Sequence, residues 1–224
     1  MKGIFYAVST GTGDPELMTL KAVRIIRECP CIAAVSSGGK MTALSIAEKA
    51  ADITDKTVIP LDMPMTSDRE KLSAAWDTAA KTIAGHLDSG EDTAMLTLGD
   101  VSVYSTAAYI AEKLSAMGYE CRMCAGVTAF CSSAAACGIP LVTGDEPLMV
   151  IPAQCSDEEI SSFLRQRGTK VIMKGGDMQR ISRLIHENAP DAKIYTAENC
   201  GFENEHLNRD IPEKCGYFTT VIIR

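Results

Sequence analysis

Short apolar runs alternate along this chain with longer stretches in which apolar residues return every three or four positions. The first behaviour marks buried strands, the second amphipathic helices. Residues 3–9 read as a first strand, feeding the turn Thr10-Gly-Thr-Gly-Asp-Pro15 and then a helix with Leu17, Leu20, Val23 and Ile26 on its inner stripe. Asp14 is placed to cap that helix, and Pro15 to start it, where a missing N–H is harmless. A second strand is expected over 31–35, a helix over about 40–51 and a third strand over 57–60. Ser67-x-x-Glu70 has the form of a capping box. It opens a long helix to about residue 88, with Leu72, Trp76, Ala79, Ala80, Ile83 and Leu87 inward. His86, near the end of that helix, is expected in solvent, interacting with the helix dipole.

The stretch 94–106 organises what surrounds it. Met95, Leu96 and Leu98 lead into Gly99-Asp100, and an amphipathic segment follows with Ile110, Ala111, Leu114 and Met117 on one stripe, closed by Gly118. This predicts a buried parallel strand, a tight turn and a helix. In open α/β sheets, ligands bind outside the carboxyl ends of the strands. Gly99 would let a ligand approach the backbone there, and Asp100 would accept hydrogen bonds from hydroxyls or an amine. The loop with Gly11 and Gly13 leaves backbone amides at a helix N-terminus, an arrangement that suits an anion. It lacks the G-x-G-x-x-G dinucleotide fingerprint, and a ligand loop and a plain connection both remain open.

Further on, a strand is expected over 119–123, and Ala125-Gly-Val-Thr-Ala129 turns into a helix of small residues over 130–137. Short strands follow over 141–143 and 148–152, and a second capping box, Ser156-x-x-Glu159, opens a helix to about 167. A strand over 169–174, a helix to about 188, a strand over 193–197 and a last strand over 217–223 complete the chain. The first half alternates strand and helix; the second mixes adjacent strands with helices. The expectation is an α/β fold of two α/β domains, 1–118 with a mostly parallel sheet and 119–224 with a mixed one.

The net charge of −7 removes any global attraction to nucleic acid or to an anionic membrane. The longest apolar-leaning run, 125–142, is broken by Thr, Ser, Gly and Pro and falls short of a membrane span. The first eight residues are too short for a secretory leader, so a soluble, cytoplasmic protein is expected. Of the nine cysteines, Cys121 and Cys124 fall on a predicted strand, Cys131 and Cys137 on a predicted helix. No turn-rich knuckle surrounds either pair. They read as structural thiols of a reducing compartment, with no metal site expected.

In this order the pieces resemble the tetrapyrrole (corrin and porphyrin) methylase family. The family's G-x-G-P-G-D-P-x-L-L-T-x-x-A is represented by Ser9-Thr-Gly-Thr-Gly-Asp-Pro-Glu-Leu-Met-Thr-Leu-Lys-Ala22. Its G-D-P-x-x-Y reads Gly99-Asp-Val-Ser-Val-Tyr104, and its P-G-[VI]-[TS]-[SA] reads Ala125-Gly-Val-Thr-Ala129. Ser9 stands for the first glycine, while Thr12, Val101 and Ala125 stand where prolines are usual. Tyr104-Ser-Thr106, Gly126-Val-Thr-Ala-Phe-Cys131, Leu141-Val-x-Gly-Asp-Glu146, Val150-Ile-Pro-Ala153 and Val171-Ile-Met-Lys174 are most similar to the branch acting at C-20 of precorrin-2 or cobalt-factor II in cobalamin synthesis.

The resemblance implies S-adenosylmethionine folded into a cleft between the two domains. By position its contacts would be Thr12, Gly99, Asp100, Val101, Tyr104, Thr128, Ala129, Met173 and Cys200. Asp100 would lie near the methionine part or the ribose, and Met173 and Ala129 would line the adenine pocket. The sulfonium carries the hard chemistry, leaving the protein orientation and electrostatics. The sequence names no general base; Asp100 and Tyr104 are the candidates. Lys40, Arg69 and Lys174 are candidate partners for a polycarboxylate substrate, with a solvated surface role open for each. A homodimer comes from the family alone. The rival readings are methylation at another position of a tetrapyrrole (precorrin-4 or uroporphyrinogen III) or of a macromolecule (diphthine-synthase or ribosomal-RNA type), and a non-catalytic nucleotide-binding module. The acidic balance and lack of basic runs argue against RNA.

Overall fold

Strand β1 (Phe5–Ser9) lies beside strands that come much later in the chain, and the first half of the protein is built around it. The computed structural model describes residues 1–66 and 68–224. It divides into two units, Met1–Thr128 and Ala129–Arg224. In the first, β1 is followed by α1 (Leu20–Glu28), β2 (Cys31–Ser36), α2 (Thr42–Ala50), β3 (Thr57–Asp62), α3 (Arg69–Asp88), β4 (Thr93–Thr97), α4 (Thr106–Ala116) and β5 (Cys121–Cys124). The strands form one sheet in the order β3-β2-β4-β1-β5, every pairing parallel.

Consecutive residues of β2 and β4 are buried rather than alternating, as a parallel sheet covered on both faces requires. On one face Phe5, Ala33 and Met95 pack against Ile83 and Leu87 of α3 and Ile110 and Leu114 of α4. Trp76 stacks on Tyr109, ring centroids 4.2 Å apart, and joins the edge of this core. The inward stripes of α3 and α4 are therefore as expected, except that Met117 caps α4 and is exposed. Gly118, at φ 85°, ends the helix.

Three expectations for the helices of this unit need correction. The helix expected from Pro15 onward is two pieces. Asp14 caps a short 3-10 turn, Pro15–Leu17, and the Thr19 hydroxyl, accepting from the Ala22 amide at 3.1 Å, starts α1 afresh. The apolar period is not continuous across that restart, and Leu20 is left 90% exposed. Ser67, of the first proposed capping box, lies outside the described residues; the N-cap of α3 is Asp68, whose carboxylate accepts from the amides of Glu70 and Lys71. His86 is not simply solvated: its Nδ1 lies 2.8 Å from a Glu91 oxygen.

Residues 119–128, read from sequence as the start of a second domain, belong to the first unit. β5 pairs with β1, with Phe5 opposite Cys121 and Val8 opposite Cys124.

The second unit runs α5 (Ala129–Ala136), β6 (Leu148–Pro152), α6 (Asp157–Leu164), β7 (Thr169–Met173), α7 (Met178–Asn188), β8 (Ile194–Glu198), β9 (His206–Asn208) and β10 (Thr219–Ile223). Its sheet is mixed, in the order β6-β7-β10-β8-β9, with only β6 and β7 parallel. Ile151, Ile172, Val221 and Ile223 pack against Ile160 of α6 and Ile181 and Leu184 of α7. The Ser156–Glu159 capping box is present in both directions. The strand expected over 141–143 does not form: Glu146 accepts from the Thr143 amide and hydroxyl, folding the segment into a local turn. β9, a three-residue edge strand, was not foreseen.

Among the described residues no helix is long and apolar enough to cross a membrane. All nine cysteines are free.

Candidate functional site

Because β4, β1 and β5 are adjacent and parallel, their carboxyl ends lie side by side, and the three motif loops leave the sheet together. Backbone contacts bind the first two. The Thr10 amide and hydroxyl both donate to the Thr97 carbonyl, at 2.9 and 3.1 Å. The Gly99 amide donates to the Gly11 carbonyl at 2.6 Å. Both glycines hold left-handed backbone, φ 70° and 74°, which side chains disfavour. A side chain at Gly11 would meet the Leu17 carbonyl; one at Gly99 would meet nothing within 4 Å. Gly99 is itself buried and its amide is engaged by Gly11, but the space a side chain would take there is empty.

Two side chains tie in the third loop. Ser9 is fully buried; its hydroxyl donates to the Cys124 carbonyl at 2.7 Å and accepts the Val101 amide at 2.9 Å. Asp100, 7% exposed, accepts the Gly126 amide at 2.7 Å on one oxygen. On the other it accepts the Ser102 amide at 2.8 Å and the Ser102 hydroxyl. Burial alone would raise its pKa, but the Gly126 amide and the two Ser102 donors outweigh it and hold the carboxyl below its ordinary value. Asp100 is thus an ionised clasp between loops distant in sequence. Gly126 admits this approach only as glycine, since an added Cβ would fall 2.4 Å from that of Ser9.

The structure therefore brings Gly99, Asp100 and Val101 together with Gly11, Ser9 and Gly126. Thr12 is 5% and Val101 1% exposed. The Val101 amide is engaged by Ser9. Tyr104 follows in left-handed backbone at φ 50°, its ring 42% exposed. Thr128 is half-buried at the end of the first unit.

The remaining candidates belong to the second unit. Ala129 opens α5, and Met173 ends β7, partly buried against Ala134, Val171 and Ile222. Cys200 is buried, its sulfur 3.3 Å from the Ser132 hydroxyl. Burial, foremost, pushes its thiol pKa up. Among the described residues, the non-glycine residues in left-handed backbone are Tyr104, Lys174 and Asn199. Lys174 follows Met173 and Asn199 precedes Cys200. Such backbone costs about 1–3 kcal/mol and clusters at functional sites. Of the three candidate cations, Lys40 and Arg69 are exposed while Lys174 is half-buried, its ammonium pKa lowered by burial.

Sequence reasoning registered Ser9 only as a departure from a motif. A serine followed by two glycine-bearing loops carries no local sign of the bond it makes 92 residues away.

A profile of the tetrapyrrole (corrin/porphyrin) methylases matches residues 5–210. The chain belongs to this family. One relative within it, a probable cobalt-precorrin-2 C(20)-methyltransferase of Methanocaldococcus jannaschii, is 33% identical over 90% of this chain and 85% of its own length. Another tetrapyrrole methylase, the precorrin-2 C(20)-methyltransferase of a Sinorhizobium species, is 29% identical over 99% of this chain and 95% of its own. Among solved structures, a Thermus thermophilus uroporphyrin-III C-methyltransferase complexed with S-adenosylhomocysteine is similar in fold, with a TM-score of 0.71. It has 18% sequence identity and the match covers 99% of this chain and 97% of that one.

Proposed function

We propose that the protein is an S-adenosylmethionine-dependent methyltransferase acting at C-20 of precorrin-2 or cobalt-factor II in cobalamin biosynthesis. The observation that carries this reading is the clasp of Asp100 on Gly126 beside the Gly11–Gly99 bridge. It gathers the three family loops at one sheet edge, in a chain that is 33% and 29% identical to two C(20)-methyltransferases. The fit to the cofactor is supported at Gly99, where the space a side chain would fill is left empty beside the Asp100 carboxylate.

Bound S-adenosylmethionine supplies an electrophilic methyl group. The protein's work is then to orient and to balance charge. The Gly11, Gly99 and Gly126 loops fix one wall, so that little reorganisation accompanies binding. Asp100 keeps its negative charge and unused lone pairs for a ligand hydroxyl or ammonium. Its depressed pKa makes it a weak acceptor for the meso proton; Tyr104, the other candidate, would have to act as its phenolate. Lys174, half-buried beside Met173, would pair with a substrate carboxylate. Thr12, Val101, Tyr104 and Thr128 in the first unit, and Ala129, Met173 and Cys200 in the second, are proposed as further cofactor contacts. A cytoplasmic homodimer completes the reading, with twice the 24.0 kDa chain mass expected from light scattering.

The reaction is tested by incubating the protein with isotopically labelled S-adenosylmethionine and each macrocycle in turn, followed by mass spectrometry and NMR. One methyl group at C-20 is expected. A peripheral ring methyl would move the protein to another branch of the family; no transfer to either macrocycle would overturn the reading.

A further inference from the structure

The opposite, N-terminal edge of the first sheet carries a second group of chemically capable side chains. Cys31 opens β2, His86 sits in the last turn of α3, and Glu91 lies just before β4. The Cys31 sulfur is 3.4 Å from His86 Nδ1 and 3.5 Å from a Glu91 oxygen, and His86 and Glu91 are 2.8 Å apart. Among the described residues this trio stands out as one whose ligand atoms all lie within 4.8 Å of one another. We infer that Cys31, His86 and Glu91 bind a zinc-class divalent cation, with water as the fourth ligand.

The distances support this. With Zn–S, Zn–N and Zn–O bonds near 2.3, 2.0 and 2.1 Å, a tetrahedral site has ligand–ligand edges of about 3.4–3.6 Å. Two of the three observed edges fall in or beside that range, and the third opens by about 0.6 Å as the His86–Glu91 hydrogen bond gives way to two metal bonds. The donor set of thiolate, imidazole and carboxylate suits zinc rather than magnesium or calcium. Cys31 is fully buried, but the His86 and Glu91 side chains are 29% and 42% exposed, so a cation and its water enter from solvent. Binding releases the Cys31 thiol proton to solvent, and the resulting charge is balanced by the cation.

None of the cysteines singled out from spacing takes part. Cys121 and Cys124 are three apart on one strand, which sends their side chains to opposite faces. The site would fasten the end of α3 to the starts of β2 and β4, remote from the motif loops and independent of the methyl-transfer reading.

The test uses full-length protein, reduced, stripped with a chelator, and titrated with Co²⁺ as an optical stand-in for Zn²⁺. Expected are one equivalent bound, a thiolate-to-cobalt charge-transfer band and its loss on adding Zn²⁺. The band should vanish in Cys31→Ser. Affinity should fall about tenfold or more in His86→Gln and Glu91→Gln. These two substitutions sit at partly exposed positions and carry the test should Cys31→Ser fail to fold. No thiolate band in the wild type, a band that survives Cys31→Ser, or unchanged affinity in both other variants would each overturn the inference.

Discussion

Asp100 accepts the Gly126 amide at 2.7 Å, a direct contact between the loop after β4 and the loop after β5. In Asp100→Ala the Gly126 amide and the Ser102 donors lose a charged acceptor. Such a loss is worth about 1.5–3 kcal/mol per bond, and more where the donor stays buried. Affinity for S-adenosylhomocysteine should fall roughly ten- to 150-fold, together with a lower melting temperature. Calorimetry and a thermal melt read both. Wild-type affinity in a destabilised variant would mean that the clasp serves folding alone.

The same carboxylate makes a signed prediction for pH. Its folded pKa is depressed, so the unfolded chain binds protons more readily. Its stabilisation is present above the unfolded carboxylate pKa of about 4 and disappears as pH falls through that value and then through the folded one. Melting temperature should decline on acidification, and the gap between wild type and Asp100→Asn should narrow as pH falls below the unfolded carboxylate value. Parallel curves down to the lowest pH would remove Asp100 as the cause.

Ser9 and Gly126 should behave as a coupled pair. Ser9→Gly strands the buried Val101 amide, at about 1–3 kcal/mol. Gly126→Ala pushes a methyl to 2.4 Å from the Ser9 Cβ, at about 1–3 kcal/mol of overpacking. With Ser9→Gly already in place that clash is gone, and Gly126→Ala should cost markedly less. Denaturant unfolding of the four proteins measures the interaction; strict additivity would show that the two loops adjust independently.

Lys174 separates strain from substrate binding. In Lys174→Gly the left-handed φ of 61° no longer strains a side chain, so melting temperature should hold or rise. If its ammonium pairs with a macrocycle carboxylate, KM for the tetrapyrrole should rise about tenfold or more, the value of a charge-assisted hydrogen bond. S-adenosylhomocysteine binding should be unaffected. Unchanged KM would assign the cation to structure.

Thiol reactivity should follow burial. Cys29 is buried, and desolvation first, then the Asp92 charge, push its pKa to about 12, whereas Cys131 is exposed. Labelling of native protein followed by peptide mass spectrometry should find Cys131 modified early and Cys29 only after unfolding.

The sequence by itself determined whatever depends on neighbours along the chain. Buried runs without alternation predicted the parallel strands, Ser156 and Glu159 predicted their own helix start, and the glycines at 11, 99 and 126 marked turns after strands. The motif order also carried the family. What the tertiary structure decided was every relationship across long separations. β5 joined the first sheet because its partner is β1, more than a hundred residues earlier. Leu20 turned outward because Thr19 restarted the helix. His86 left the solvent for Glu91 because α3 ends where β4 begins. Asp100, which alone reads as a hydroxyl acceptor, turned out to bind the backbone of another loop. Local propensity is encoded in side chains a few positions apart, but hydrogen bonds such as Ser9–Val101 and Asp100–Gly126 exist only once the sheet has brought three strand ends together.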